Sequence, residues 1–536
     1  MSGSGPWRSW RALALPGLLL YLGAWGVWAI LLDRHPEYSD TMLHDAIALW
    51  KALVLHDRSL NDALAGPGYH PPLCYLPAVL LFLVLGGPSL TVLRLTVLAQ
   101  YLAAVWLAHD LGQRMAGPRA GLLAATMLGT FPLVLGWGRM GYMDMGLALM
   151  VLVWLRLLHG CDPGSRASGA RLGLGGGLGL LTKLAFPIFG AGPLLWVLVT
   201  RVRRRRHLVT CAVAAAVALL VAGWWYALHW EAVMLNAGMS SDERSALATL
   251  RALTLDVDGG PWLLALALLG SLVAWRWRTV PARDLALISL AVWPALALLL
   301  RFHPQLRYAL PLYAVAAVLA GVCLQSALER IGARAGRLAA ALLSLFLLGH
   351  VAWLGLRSPL PGPPPAVTYP LTGFRVNDLG LLSPDRRSFD AYPRALQAVA
   401  RRFRSCLVVF TGPGPLETHE PRSLRLQLEA KVPVRLEESR AELPPSPDTV
   451  CVLLVTDRTG QVAWRREEGQ SERAYVARCL TQAWFAGTTE KRLLAAFGPS
   501  PLGLRYEIYE LPSAMLTREV APPDWCRRDE RTPEMP

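Results

Sequence analysis

The stretch LGLGGGLGLLTKLAFPIFG (172–190) decides how the rest of the chain is laid out. Read with the apolar residues that follow as one helix to position 200, it places Lys183 at the middle of a membrane. Read as two helices meeting near Lys183 and Pro187, it forms a hairpin whose turn reaches water. An unpaired lysine at mid-bilayer costs about 3 kcal/mol. The hairpin is therefore the expected reading, and the sidedness of every other segment follows from it.

The surrounding composition supports a membrane setting. The chain has 536 residues, 54% of them hydrophobic and 17% charged, with a mean hydropathy of +0.36. A soluble domain carries about 25% charged residues. Windows such as ALALPGLLLYLGAWGVWAILL (12–32) and AVAAAVALLVAGWWYAL (212–228) have the length and apolarity to cross a bilayer. The first follows Arg8 and Arg11 and has no small-residue cleavage site before DRHPEY, so it reads as a retained anchor.

The net charge of +15 comes from arginines clustered in short loops, most densely in RVRRRRH (201–207). That is the pattern of loops kept on the cytoplasmic side, and it argues against nucleic acid as a partner. Lysine is scarce: Lys51, Lys183, Lys431 and Lys491 are all there are. The eight cysteines show no CxxC spacing, hence no zinc or redox motif.

Six basic loops set the orientation: Arg8/Arg11, Arg114/Arg119, Arg166/Arg171, Arg201–Arg206, Arg276/Arg278/Arg283 and Arg330/Arg334/Arg337. They share one side only if 172–200 is a hairpin and the short run 73–87 is re-entrant or interfacial, which gives about eleven spans. The rival topology makes 73–87 a span and 172–200 one long helix. In the preferred arrangement loop 33–88, loop 138–144, Lys183, loop 229–260 and RFHPQLR (301–307) all face outward. The expected fold is a polytopic α-helical membrane bundle over 1–357, then a Pro-rich linker, SPLPGPPPAVTYP (358–370), then an extracytoplasmic α/β domain over 371–536. In that last region CLVVF (406–410), VCVLLV (450–455) and RYEIYEL (505–511) predict strands, while AYPRALQAVARRF and SERAYVARCLTQAWF predict helices.

Isolated charges collect on the outward face. After the first span, EYSDTMLHDAIALWKALVLHD (37–57) predicts an amphipathic helix. Met42, Leu43, Ala46, Ile47, Leu49, Trp50, Leu53 and Val54 form one half, and Asp40, Thr41, His44, Asp45 and Lys51 the other. YHPPLCY (69–75) follows, then GRMGYMD (138–144) with Arg139 and Asp144, then Lys183, then RFHPQLRYALP. Singly, each is an ordinary helix end or lipid-headgroup anchor. Together they place two acids and several cations at one depth, which suits an anionic, lipid-borne substrate.

These segments resemble, in order, the motifs of the GT-C superfamily of integral membrane glycosyltransferases. The superfamily includes protein O-mannosyltransferases (glycosyltransferase family 39) and lipid A aminoarabinose transferases. YSDTMLHDAIAL corresponds to the acidic motif after the first span, YHPPLCY to a PPLxY-like stretch, and Arg139 to Asp144 to an R-x-x-x-x-D. GLGLLTK (177–183) corresponds to the family's L-T-K hairpin and RYALP (307–311) to a late RYxLP. The resemblance covers roughly residues 12 to 325. This chain departs from it where many relatives carry Asp-Glu and it has Asp40–Thr41, and where some carry Glu-Lys and it has His70.

The resemblance implies a bacterial inner-membrane enzyme of the cell envelope. Such an enzyme moves a sugar from a polyprenyl-phosphate donor to an acceptor hydroxyl on a protein, lipid or glycan at the outer face. It implies Asp40 as the base that takes the hydroxyl proton, with Asp144 second or instead orienting the acceptor or helping to hold a divalent metal, and His44 and Asp45 as secondary candidates. Arg139, Lys183, Arg307 and His70 would meet the departing phosphate. A divalent metal is admitted but not specified. The alternatives are a lipid or glycolipid transporter or flippase, or an inactive membrane scaffold. Transporters often carry duplicated halves and midplane charges, and neither is seen in the sequence.

Overall fold

The computed structural model describes residues 7–32, 46–47, 49–50, 53–54, 70–162, 164–201, 205–238, 260–276, 306–356 and seven strands between 367 and 512. Asp40, His44, Asp45 and the apolar run at 285–300 lie outside the described residues, as do the two helices expected after position 390. The chain divides into two units, one of Met1–Asp33, Ala48–Leu360 and Pro364–Asp385, the other of Arg34–Ile47, Pro361–Pro363 and Arg386–Pro536.

The first unit is helical. Its helices are α1 (Trp7–Leu32), α2 (Leu76–Leu85), α3 (Leu90–Ala116), α4 (Pro118–Thr130), α5 (Pro132–Trp137), α6 (Asp144–His159) and α7 (Arg166–Leu180). There follow α8 (Phe186–Arg201), α9 (Arg205–Ala218), α10 (Trp224–Gly238), α11 (Gly260–Arg276), α12 (Leu310–Arg330) and α13 (Ala333–Leu356). Among the described residues five helices are long and apolar enough to cross a membrane: Leu13–Leu32, Leu90–Ala116, His207–Trp230, Leu310–Arg330 and Arg334–Ala352. Helix α2, at 10 residues, would span only about 15 Å, half of a hydrocarbon core.

The deciding stretch is two helices. Helix α7 stops at Leu180, Lys183 lies in the turn, and α8 starts at Phe186 with Pro187 in its first turn, where the missing N–H costs nothing. Thr182 Oγ1 donates back to the Leu178 carbonyl at 2.8 Å, and the Phe186 N–H donates to the Lys183 carbonyl at 2.9 Å. The ring of Phe186 lies so close over Gly179 that any side chain there would collide with it.

Glycines also set the next contact. A Cβ on Gly169 would stand 2.6 Å from the Thr210 carbonyl oxygen, one on Gly173 would strike that of Ala214, and one on Gly177 would stand 2.7 Å from Val221 Cβ. The first two pairs share one separation of 41 residues, so α7 and α9 run parallel in close backbone contact. The chain between them must therefore return along α8, which is the hairpin the sequence predicts. A π-turn, Leu219–Gly223, links α9 to α10 and brings the fully buried Trp225 against Leu181, next to the Lys183 turn.

Helices α3 and α4 form an antiparallel hairpin, turned at Gly117 with φ +89°, a conformation that L side chains rarely adopt. Gly146 of α6 sits against Gln100, and Arg156 bonds Asp110; both pairs are 46 residues apart, so α3 and α6 are parallel. Helix α12 is buried along most of its length, with Tyr313 stacked on Phe131 at 4.8 Å. On the segment after α1, Ala46, Ile47, Leu49 and Trp50 are buried as expected of the apolar half, whereas Leu53 and Val54 are exposed.

A two-stranded antiparallel ladder, β1 (Val367–Thr368) with β2 (Arg375–Val376), ends the first unit. The second unit holds a five-stranded sheet of β3 (Leu407–Thr411), β4 (Leu436–Glu437), β5 (Thr449–Thr456), β6 (Arg492–Phe497) and β7 (Arg505–Pro512). Its order is β4-β3-β5-β7-β6, parallel from β4 to β5 and antiparallel beyond. The strands expected at 406–410, 450–455 and 505–511 are β3, β5 and β7.

Candidate active site

Asp144 is the first residue of α6 and is 1% exposed. Its negative charge at a helix N-terminus faces the positive end of the peptide dipoles. Lys183 Nζ donates to its Oδ1 at 2.5 Å, and Arg307 Nε lies 3.6 Å from its Oδ2. The lysine comes from the α7–α8 turn and the arginine from a 3-10 turn, Leu306–Ala309, that leads into α12. Three of the residues singled out in the sequence thus meet at one carboxylate.

Arg139, 1% exposed, precedes Asp144 in the tight turn after α5. His70 lies just before a 3-10 turn, Pro72–Cys74, and its carbonyl accepts a 3.4 Å bond from Tyr75 Oη. This turn is tied to the centre through its backbone. The Leu73 N–H donates to the Leu181 carbonyl at 2.9 Å, and Gln100 Nε2 donates to the Cys74 carbonyl at 3.0 Å. Cys74 Sγ lies 3.6 Å from the Met143 carbonyl oxygen and 3.5 Å from that of Thr182, the residues immediately before Asp144 and Lys183. Burial pushes the thiol up in pKa; Lys183 pulls it down and Asp144 adds to the rise.

Three further features have no counterpart in the sequence reading. Arg94, inside an apolar run, is only 2% exposed on α3. By the α3–α6 register it lies about one turn beyond the level of Asp144. Trp137 and Tyr142 meet edge to face at 4.8 Å, and the Arg307 guanidinium lies 4.5 Å over the Tyr142 ring and 5.9 Å from that of Trp137. Aromatic residues in apolar sequence carry no local sign of such a role. Arg94 could have been flagged as a charge within a predicted span.

Charge is also organised at the opposite end of α3 and α6. There Asp110 Oδ2 accepts from Arg114 Nε at 2.8 Å and Arg156 Nε at 2.5 Å. The two carboxylate centres are therefore separated by the length of α6, about 20 Å.

The donor set fits anion handling better than metal binding. Each Asp144 oxygen already faces a cation, and among the described residues no three His, Cys, Asp or Glu side chains gather as a metal would need.

Residues 69–226 match the family described as dolichyl-phosphate-mannose-protein mannosyltransferase. Comparison with curated protein sequences gives no match. Among solved structures, the fold is similar to ArnT from Cupriavidus metallidurans bound to undecaprenyl phosphate (TM-score 0.57, 16% identity, 95% of this chain and 99% of that one). It is also similar to the Archaeoglobus fulgidus oligosaccharyltransferase (TM-score 0.52, 12% identity, 90% and 79% of the two chains). A third similarity is to the mycobacterial arabinofuranosyltransferase AftD (TM-score 0.55, 16% identity, 94% of this chain but 40% of that one). The ordered motifs and the family match over residues 69–226 point the same way, and the chain shares its fold with these three structures.

Proposed function

We propose that the protein transfers a sugar from a polyprenyl-phosphate donor to an acceptor hydroxyl at the outer face of a bacterial inner membrane. The observation that carries this reading is the buried meeting of Lys183 and Arg307 at Asp144. Support comes from the neighbours' own ligands, undecaprenyl phosphate in ArnT and a dolichol-phosphate with an inhibitory peptide in the archaeal oligosaccharyltransferase AglB.

In the proposed reaction the acceptor oxygen attacks the anomeric carbon, the bond from that carbon to the phosphate oxygen breaks, and the polyprenyl phosphate leaves. The hydroxyl proton passes to a carboxylate, assigned to Asp40 from its motif, with His44 and Asp45 in reserve. Charge builds on the departing phosphate, so fixed cations in a low-dielectric site lower the barrier. Lys183 and Arg307, with Arg139 and His70, take that role. Asp144 then has a different part from the one first expected. With a cation against each oxygen, it holds Lys183 and Arg307 in place rather than serving as the second base.

The proposed topology keeps the six arginine loops inside and about eleven spans. The second unit is then extracytoplasmic, as an α/β domain placed to influence acceptor choice. The test is turnover in lipid nanodiscs with a panel of polyprenyl-phosphate sugars, following release of polyprenyl phosphate. Release from at least one donor, lost in Asp40→Asn, is expected. A folded protein that binds such lipids and releases nothing with any donor and acceptor extract would instead indicate a lipid carrier.

A further inference from the structure

We propose that Tyr226 of α10 is a positioning residue for Lys183: by capping the end of α7 it keeps the lysine ammonium at Asp144 rather than on its own helix. The inference rests on the polyprenyl-phosphate reading above, in which Lys183 meets the departing phosphate.

A helix leaves its last carbonyls without partners inside the helix, and a lysine near that end is a common donor to them. Lys183 follows the last residue of α7, Leu180, by three positions, and its flexible stem is long enough to fold back over the preceding turn. Its ammonium nevertheless meets Asp144 Oδ1 at 2.5 Å. The backbone shows why, because each carbonyl from Gly177 to Lys183 faces another donor. Within the hairpin, the Leu181 N–H donates to Gly177 at 3.0 Å and the Thr182 N–H to Gly179 at 3.1 Å. Thr182 Oγ1 serves Leu178, and the Phe186 N–H serves Lys183 itself. The Pro72–Cys74 turn brings the Leu73 N–H to the Leu181 carbonyl and the Cys74 thiol to within 3.5 Å of that of Thr182. The Leu180 carbonyl is reached by neither. Tyr226 Oη donates to it at 3.1 Å, from 46 residues away.

The path of the chain explains how a tyrosine of α10 arrives there. The π-turn Leu219–Gly223 is one residue wider than an α-turn, so it resets the helix phase between the α9 face on the α7 glycines and the start of α10. Trp225 then packs on Leu181, with Leu73, Leu184 and Tyr226 against the same cluster. The rings of Trp225 and Tyr226 meet edge to face at 5.0 Å. Packing thus fixes the tyrosine ring, and the hydroxyl carries the cap. Without that hydroxyl the Leu180 carbonyl loses its donor, which is costly in a partly buried place. The long donor side chain next along the chain is Lys183. Its ammonium would divide between the carbonyl and Asp144, and the site would lose part of a cation.

The lysine can be read directly, because the chain has only Lys51, Lys183, Lys431 and Lys491. The full chain, labelled with [ε-13C]lysine and held in nanodiscs, gives a Lys183 signal identified by its loss in Lys183→Met. In Tyr226→Phe that signal is expected to shift while the other lysine signals stay in place. Affinity for undecaprenyl monophosphate should fall about fivefold, with thermal unfolding as the folding control. In a Lys183→Met background the same substitution should change affinity by less than about twofold, because the group it positions is gone. An unmoved Lys183 signal in a folded Tyr226→Phe, or an equal loss of affinity with and without Lys183, would overturn the positioning role and leave the functional reading intact. A folded wild type that does not bind the lipid phosphate would overturn the functional reading, and the lysine signal would still decide whether Tyr226 places the ammonium.

Discussion

Lys183 Nζ lies 2.5 Å from Asp144 Oδ1, although the two residues are 39 positions apart and belong to different helical segments. Their side chains are 13% and 2% exposed, so neither charge has more than slight access to water. Removing one partner leaves the other buried and uncompensated. Asp144→Asn should therefore destabilise the bundle by about 3 kcal/mol and abolish transfer. Pairing it with Lys183→Met should recover part of the stability but none of the activity. Thermal unfolding in detergent checks the first claim; a double variant no more stable than Asp144→Asn would contradict it.

The glycine stripe of α7 makes a second prediction. Gly173 faces the Ala214 backbone with no room for a side chain. Gly173→Leu should push α7 from α9 and cost about 1–3 kcal/mol. Gly223, where an added Cβ would meet only the Leu219 side chain, at 3.8 Å, should accept alanine with little loss. Equal effects at the two positions would show that the close approach is not what holds the helices together.

Much of this arrangement was legible in the sequence, for a local reason. The break at Lys183 follows from the cost of burying a lysine and from Pro187, both readable within a few residues. The sequence reading expected Asp144, Lys183 and Arg307 on one face, and the three side chains meet at one carboxylate. What was not legible depends on side chains meeting across the bundle. Nothing near Tyr142 announces Arg307, and nothing near Cys74 announces that its thiol touches the peptides before Asp144 and Lys183. Nor does anything near Asp144 in the sequence announce a cation at each of its oxygens, because that turns on where each oxygen points.

Cys74 carries a third prediction. Its thiol is fully enclosed, and burial raises its pKa, so the folded state favours the protonated form. The unfolded chain loses that proton first as pH rises. The group's stabilising contribution is complete below the ordinary thiol pKa of about 8.5 and declines above it. Cys74 should resist a maleimide at neutral pH until the protein unfolds. Cys74→Ser should retain most of the activity and Cys74→Val should not. Rapid labelling of native Cys74 would show that the turn is open.

The centre at Asp110 should be separable from the one at Asp144. Asp110 joins α3 to α6 through Arg156 at 2.5 Å, but the length of α6 lies between it and the proposed site. Asp110→Asn should lower stability by about 1–2 kcal/mol, the range of a partly exposed charged hydrogen bond. Affinity for undecaprenyl monophosphate should change less than twofold at 25 °C, because no site residue loses a contact. A selective loss of binding without loss of stability would mean that the two ends are coupled.

Sidedness can be tested with the same helix pair. Gly87 precedes α3, and a Cβ there meets nothing within 4 Å; Gly164 follows α6 and is exposed. Because α3 and α6 run parallel, these positions lie at opposite ends of the bundle, about 40 Å apart. In the proposed topology the Gly164 end is cytoplasmic. In a background with the eight native cysteines replaced, Gly87→Cys should react with a membrane-impermeant maleimide added to spheroplasts. Gly164→Cys should react only after permeabilisation. The reverse pattern would place Asp144, Lys183 and Arg307 on the cytoplasmic side. The outer-face reaction would then be excluded, whatever the donor assays show. Labelling as expected would put the buried cations on the outer face, as the proposed reaction requires.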